Sequence, residues 1–187
     1  MKSIKHTLNE ISLNFNTLAE TSVPQIEEAS KLMLKTLKNG GKIMFCGNGG
    51  SASDAQHLSA ELVGRYMKNR KPLASVSLTT DTSIITAISN DFTFDDIFSR
   101  QVESIGNEGD LLYAISTSSR SKNVINALKV AKKMNIKTLG ITGNNDFGFR
   151  ELCDVIINTP ASRPDRIQEM HIAIGQILCE ILEVELC

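Results

Sequence analysis

Residues 42–61 read KIMFCGNGGSASDAQHLSAE, an apolar run followed by a glycine-rich stretch and then by a segment with helical spacing. The run KIMFCG (42–47) predicts a buried strand, because it is short, apolar and bounded by glycine. Further β-rich runs follow and alternate with helical segments: LASVSL (73–78), LLYAIST (111–117), TLGIT (138–142) and VIIN (155–158). This alternation predicts an α/β fold with a parallel sheet covered by helices on both faces.

The segment before this sheet has a helical pattern in two parts. Apolar residues recur at three- and four-residue steps over residues 4–18 and again after Pro24, and the Asn-Gly-Gly of residues 39–41 ends the second part. This start carries more apolar surface than one small sheet needs to cover. We therefore expect a single domain over residues 1–187, in which residues 1–38 are a helical oligomerisation extension.

The composition is typical of one globular domain. The chain has 187 residues, of which 41% are hydrophobic and 22% charged. Its 20 Lys and Arg against 21 Asp and Glu give a net charge of -1, which favours neither nucleic acid nor an anionic membrane as a partner. The four cysteines show no metal-binding spacing. Because no apolar run suits a signal peptide or a membrane span, we expect a cytoplasmic protein.

Ligands of parallel α/β sheets bind beyond the carboxyl ends of the strands, and the first such loop is GNGGS (47–51). Its glycines allow a tight turn in which the backbone can approach a ligand. Ser51 is predicted to cap the following helix, with Asp54 close to a capping-box position, and a helix start favours an anion. The loop is neither G-x-G-x-x-G nor a P-loop, so it does not indicate a nucleotide. The alternative interpretation of this loop is a glycine turn that serves only packing.

The second loop of this kind is STSSRS (116–121), which follows the third strand and precedes a helix. Hydroxyls together with helix-start N–H groups suit a phosphate ester, because each can donate a hydrogen bond to a charged oxygen. A serine-rich helix cap is the alternative interpretation.

His57 and Glu61 lie four residues apart on the helix predicted after GNGGS, so their side chains can meet on one face. Such a pair can bind a divalent metal, or it can pair as imidazole and carboxylate. An ordinary surface pair is the alternative. The position of the pair on the helix that follows the predicted anion loop is what favours a functional role.

Several longer motifs occur in one order along the chain: GNGGSASDAQHLSAEL (47–62), GRY (64–66), LTTDTS (78–83), SNDF (89–92), FSRQVE (98–103), ISTS (115–118) and RIQEMH (166–171). In this order they resemble the phosphoheptose isomerases of the sugar isomerase (SIS) family. The resemblance implies a three-layer αβα sandwich with a five-stranded parallel sheet, flavodoxin-like, and helical N-terminal extensions. It also implies a homotetramer with active sites between subunits.

The resemblance further implies an aldose–ketose isomerase that interconverts sedoheptulose 7-phosphate and D-glycero-D-manno-heptose 7-phosphate, supplying heptose for lipopolysaccharide or capsule. By this similarity the substrate contacts are Asn48, Gly49, Gly50, Ser51, Glu61, Asn90, Asp91, Ser116, Thr117, Ser118, Ser121 and Gln168. The resemblance places His57, Glu61 and Gln168 at a metal ion, usually zinc.

The implied reaction needs groups of this type. Moving a carbonyl between C1 and C2 requires that a proton leave one carbon and return to the other through an enediol. A carboxylate can transfer this proton, and a cation near the two oxygens stabilises the developing negative charge. Glu61 is therefore the candidate catalytic base.

The chain departs from the family pattern in three places, of which Lys122, where a small residue or proline is often found, matters least. The family's C-terminal helix carries a second histidine five residues after the one in RIQEMH, and here that position is Gln176. An amide cannot shuttle protons near neutral pH and is a poorer zinc ligand than imidazole, so we expect weak or partial zinc occupancy. The family's phosphate loop usually reads STSGNS, and here Ser119 and Arg120 stand in place of its Gly and Asn.

These departures leave alternatives open. A non-catalytic relative, the DnaA-initiator-associating protein, also lacks the second histidine, so a SIS scaffold with a DnaA-type protein partner is the alternative function. An isomerase for a different sugar phosphate is another. This chain keeps both His57 and Glu61, which favours an isomerase. Gln168 and Gln176 are about 12 Å apart along one helix and would hardly converge on one ion, so we expect position 176 to approach from another subunit.

Overall fold

A computed structural model describes residues 3–187, and at its centre lies one five-stranded sheet. The strands are β1 (Ile43–Gly47), β2 (Ser75–Ser77), β3 (Leu111–Ile115), β4 (Lys137–Thr142) and β5 (Val155–Asn158). Their order is β2-β1-β3-β4-β5, and every neighbouring pair is parallel. The prediction of a five-stranded parallel sheet is confirmed.

Helices cover both faces of the sheet. They are α1 (Ile4–Thr21), α2 (Val23–Lys38), α3 (Gly50–Val63), α4 (Thr82–Asp91), α5 (Ser99–Ile105), α6 (Lys122–Lys133) and α7 (Pro164–Leu186), with a 3-10 turn at Phe94–Asp96. One core lies between the sheet and α2, α3 and α7, and the other lies between the sheet and α4, α5 and α6. The molecule is therefore the three-layer αβα sandwich that the sequence predicts.

Alternate residues of each central strand enter opposite cores. Phe45 and Tyr113, on neighbouring strands, face α3 and α7 with ring centroids 5.2 Å apart, whereas Met44 and Cys46 face the other layer. Because both faces are covered, every residue of β1 is buried. This double burial explains why the strand sequences read as continuous apolar runs rather than as alternating ones.

The two predicted N-terminal helices are present as α1 and α2, and the first two residues of the chain lie outside the described part. Between them, Ser22 donates its hydroxyl to the carbonyl oxygen of Asn158 at 2.9 Å, which anchors the junction to the end of β5. Leu18 is the buried residue of α1, while Ile4 and Leu13 are 81% and 65% exposed. An oligomerisation role for this segment stays a prediction. No helix among residues 3–187 is long and apolar enough to cross a membrane.

Candidate active site

The two loops selected from the sequence lie side by side at the carboxyl edge of the sheet. β1 and β3 are neighbours, and their last residues, Gly47 and Ile115, are paired. Asn48 in the first loop and Asn123 at the start of α6 exchange two amide hydrogen bonds, of 2.8 and 2.9 Å. This reciprocal pair joins the glycine loop to the helix that follows the serine loop.

The helix after the glycine loop begins earlier than the sequence suggests. The N-cap of α3 is Gly49, whose φ of 57° and ψ of −121° suit glycine and are disfavoured for a residue with a side chain. Ser51 lies inside the first turn and is buried, so its predicted capping role, and the capping box with Asp54, are wrong. A Cβ atom at Gly50 would lie 2.7 Å from Nε2 of Gln168, so the missing side chain makes room for this α7 amide.

Asp54 lies inside α3 and not at the predicted capping-box position. Its Oδ2 atom is buried and has no hydrogen-bond partner among the described residues. Burial raises the pKa of this carboxyl to about 6, and nearby His57 partly offsets that effect. Its spacing in the sequence was one usable signal, because Asp54 lies one turn after Gly50 and one turn before His57.

The serine loop holds its hydroxyls in an arrangement suited to an anion. β3 ends at Ile115, two residues earlier than predicted. The chain turns there, because the backbone carbonyl of Ser116 accepts a hydrogen bond from the N–H of Ser119. The hydroxyl oxygens of Ser116 and Ser121 lie 3.3 Å apart. Ser121 is the N-cap of α6, yet its side chain makes no capping hydrogen bond. The hydroxyl pair therefore faces the helix start without capping it, which favours anion binding over the simple cap.

His57 and Glu61 meet on the exposed side of α3, as the spacing predicts. His57 Nε2 and Glu61 Oε1 are 3.0 Å apart, with side chains 48% and 21% exposed. The backbone carbonyl of Glu61 accepts a hydrogen bond of 2.8 Å from Arg70, whose guanidinium forms a buried ion pair with Glu183 on α7 at 3.0 Å. This ion pair fixes the end of α3 that carries Glu61 against α7.

α3 and α7 run side by side in the same direction. The contacts between them show which residues of α7 lie opposite which residues of α3. Gly50 lies against Gln168, and a Cβ atom at Gly175 would lie 2.6 Å from Leu58. Farther along, burial and then the charge of Glu61 raise the pKa of the Cys179 thiol to about 12. Position 176, which follows Gly175, is therefore level with the His57–Glu61 pair of the same protomer.

Gln168, by contrast, is separated from that pair. It lies beside Gly50, seven residues before His57, which is about 10 Å along α3. The expectation that position 176 approaches the site from another subunit stays a prediction. Within one protomer, the parallel packing of α3 and α7 places Gly175 against Leu58 and leaves Gln168 at the loops.

With this geometry established, comparison with known proteins identifies the family. The family model of the SIS domain matches residues 8–143. The chain belongs to the SIS domain family.

Relatives within the SIS family cover nearly the whole chain. A phosphoheptose isomerase of Aliarcobacter butzleri is 53% identical over 167 residues, which are 89% of this chain and 88% of that protein. The solved structure of the phosphoheptose isomerase GmhA from Neisseria gonorrhoeae is 41% identical, with a TM-score of 0.91 and 97% of each chain covered. A phosphoheptose isomerase structure from Francisella tularensis is 34% identical, with a TM-score of 0.92, and covers 96% of this chain and 95% of that one. The resemblance read from the motifs is confirmed.

Asn90 and Asp91, which the SIS motifs place at the substrate, lie exposed at the end of α4. The Asn90 amide donates a hydrogen bond of 2.8 Å to the Asp91 carboxylate. Thr117 and Ser118 continue the serine loop, half-buried and exposed respectively. Substrate contacts of these four residues stay predictions.

The donor atoms around His57 suit a zinc site with few strong ligands. In the part of the chain that the structure describes, no three His, Cys, Asp or Glu residues cluster to hold a metal. The 3.0 Å between His57 Nε2 and Glu61 Oε1 is close to the roughly 3.4 Å between adjacent ligands of a tetrahedral ion with bonds near 2.1 Å. Gln168 and Gln176 can add only amide oxygens. The residues therefore fit a zinc ion bound through a single imidazole.

Proposed function

We propose that this protein is an aldose–ketose isomerase that interconverts sedoheptulose 7-phosphate and D-glycero-D-manno-heptose 7-phosphate. The observation that carries the proposal is a site with two parts: the hydroxyl pair of the serine loop, which lies beside the glycine loop, and the carboxylate–imidazole pair on α3. The named phosphoheptose isomerases support the same activity, since they match most of the chain at up to 53% identity.

The anion half binds the phosphate group. The hydroxyls of Ser116 and Ser121, 3.3 Å apart, each donate a hydrogen bond to a phosphate oxygen, and the start of α6 adds a favourable dipole. Thr117 and Ser118 complete the cradle. The open backbone at Gly49 and Gly50 lets the sugar approach the glycine loop closely.

The proton-transfer half moves hydrogen between C1 and C2. Glu61 takes the proton from C1 of the ketose, which leaves an enediol, and returns it to C2 to form the aldose. His57 holds this carboxylate in place through the 3.0 Å contact. Gln176 cannot carry a proton, so in the metal-free protein His57 is the imidazole available to exchange hydrogen between the two substrate oxygens.

A zinc ion would be held by His57, Glu61 and Gln168, and when bound it would stabilise the negative charge that develops on the two oxygens. Since Gln168 of the same protomer is about 10 Å away along α3, the amide that joins the pair belongs to a neighbouring subunit. This requirement supports the proposal of a homotetramer with sites between subunits. A ligand set with only one imidazole is expected to bind zinc weakly.

The product is an aldose phosphate suited to heptose supply for lipopolysaccharide or capsule. We expect the reaction to take place in the cytoplasm and to involve no nucleic acid. The phosphoheptose isomerases reported above do not favour the alternative of a non-catalytic DnaA-type scaffold. The test is incubation of the purified protein with sedoheptulose 7-phosphate, with and without added zinc, followed by NMR. We expect the aldose to accumulate to an equilibrium mixture. An unchanged ketose spectrum in both samples would contradict the proposal.

A further inference from the structure

Ser119, in the middle of the serine loop, is not among the residues assigned to substrate, and its backbone is unusual. Its φ is +51°, in the left-handed region that residues with a side chain rarely adopt. The residue is also completely buried. A buried serine in a disfavoured conformation needs specific interactions to hold it there.

The hydroxyl of Ser119 supplies such interactions. It lies 2.7 Å from the carbonyl oxygen of Ser118 and 3.0 Å from the carbonyl oxygen of Asn145, so its single hydrogen is shared between two acceptors. Asn145 belongs to residues 143–149, which follow β4 and are called the β4 loop below. One hydroxyl thus connects the serine loop to the β4 loop.

Neighbouring contacts strengthen this connection. The N–H of Gly143 donates a hydrogen bond of 3.3 Å to the carbonyl oxygen of Thr117. Gly148 packs so closely on the carbonyl oxygen of Ser119 that a side chain there would clash. The guanidinium of Arg120 lies 5.5 Å from the ring centroid of Phe147, a cation–π contact. Successive residues of the serine loop therefore rest on the β4 loop.

We propose that Ser119 is a positioning residue for phosphate binding. Its buried hydroxyl fastens the serine loop to the β4 loop and so holds the hydroxyls of Ser116 and Ser121 in the 3.3 Å arrangement that receives the phosphate. The inference rests on the proposed function in that the bound anion is the phosphate of a sugar. Without the hydroxyl, the binding-competent loop conformation is less populated, and the apparent affinity falls in proportion.

The test compares Ser119→Ala with a matched control, Thr142→Val. The hydroxyl of Thr142 donates to the same Asn145 carbonyl, at 3.1 Å, but from β4 rather than from the serine loop. Affinity for inorganic phosphate is measured by calorimetry, and KM and kcat for sedoheptulose 7-phosphate by NMR. For Ser119→Ala we expect about tenfold weaker phosphate binding and a similar rise in KM, with kcat within about twofold of the parent. Thr142→Val should bind phosphate like the parent.

A further variant separates the hydroxyl from the backbone strain. Ser119→Gly removes the same hydroxyl but adopts a φ of +51° freely, so we expect about threefold weaker phosphate binding, between the parent and Ser119→Ala. It also carries the test if the alanine variant does not fold.

Two results would overturn the proposal. The first is parental phosphate affinity in a folded variant of Ser119, even if its melting temperature is lower. The second is an equal loss of affinity in Thr142→Val. Phosphate binding needs no turnover, so an inactive parent would count against the isomerase function and leave the role of Ser119 open to this measurement.

Discussion

Removing the hydroxyl pair of the serine loop is the sharpest perturbation of phosphate binding. Ser116 is buried and Ser121 half-buried, with their hydroxyl oxygens 3.3 Å apart, so alanine at both positions removes two donors with little change of volume. A net contribution of about 1 kcal/mol for each hydrogen bond corresponds to about fivefold in affinity per hydroxyl, and about 30-fold for both.

The assay is calorimetric titration of the parent, both single variants and the double variant with sedoheptulose 7-phosphate. Ser104→Ala is the control, because Ser104 is exposed on α5 and lies outside both loops. Circular dichroism and the melting temperature establish that each variant is folded. Unchanged affinity in a folded double variant would refute the placement of the phosphate in this loop.

Three further predictions concern Glu61, Gln176 and His171. Glu61→Gln should lower turnover by at least 100-fold while phosphosugar binding persists, because the amide keeps the shape of the side chain and loses the base. Activity within about tenfold of the parent would show that Glu61 is not the base. Gln176→His should tighten zinc binding, measured by competition with a chromophoric chelator, whereas stoichiometric zinc retained by the parent through chelator dialysis would show that the parent site is not weak. Burial lowers the pKa of His171 from 6.5 to about 4, so the unfolded chain binds more protons between these values and stability falls as the pH falls through that window. His171→Gln should flatten this dependence in urea unfolding at pH 7 and pH 4.5, and an unchanged slope would contradict it.

The sheet could be predicted from the sequence because its strands are buried on both faces. Met44 and Phe45 enter opposite cores, and such double burial requires the short apolar runs that mark each strand. Strand ends were less accurate. β3 stops before Ser116 because a turn to Ser119 begins there, and the apolar pattern carries no record of that hydrogen bond.

The candidate site could be predicted in its residues and only partly in its geometry. The spacing of His57 and Glu61 was enough to predict their contact, since i and i+4 residues meet on any helix. The capping role of Ser51 was wrong, because a glycine at positive φ started the helix earlier. The position of Gln176 along α3 depends on the packing of Gly175 against Leu58. This is a tertiary contact, which no local sequence pattern predicts.

The central claim is that Glu61 transfers a proton between C1 and C2 of a phosphoheptose. The most direct measurement is the reaction of zinc-supplemented protein with sedoheptulose 7-phosphate in deuterated water, followed by NMR at C2 of the aldose and compared with Glu61→Gln. The proton that Glu61 takes from C1 can exchange with solvent before it is returned to C2, so the account predicts aldose labelled in part with deuterium at C2 in the parent. It also predicts at least 100-fold slower formation of the aldose in the variant. Absence of aldose from the parent, or equal rates in the two proteins, would contradict it.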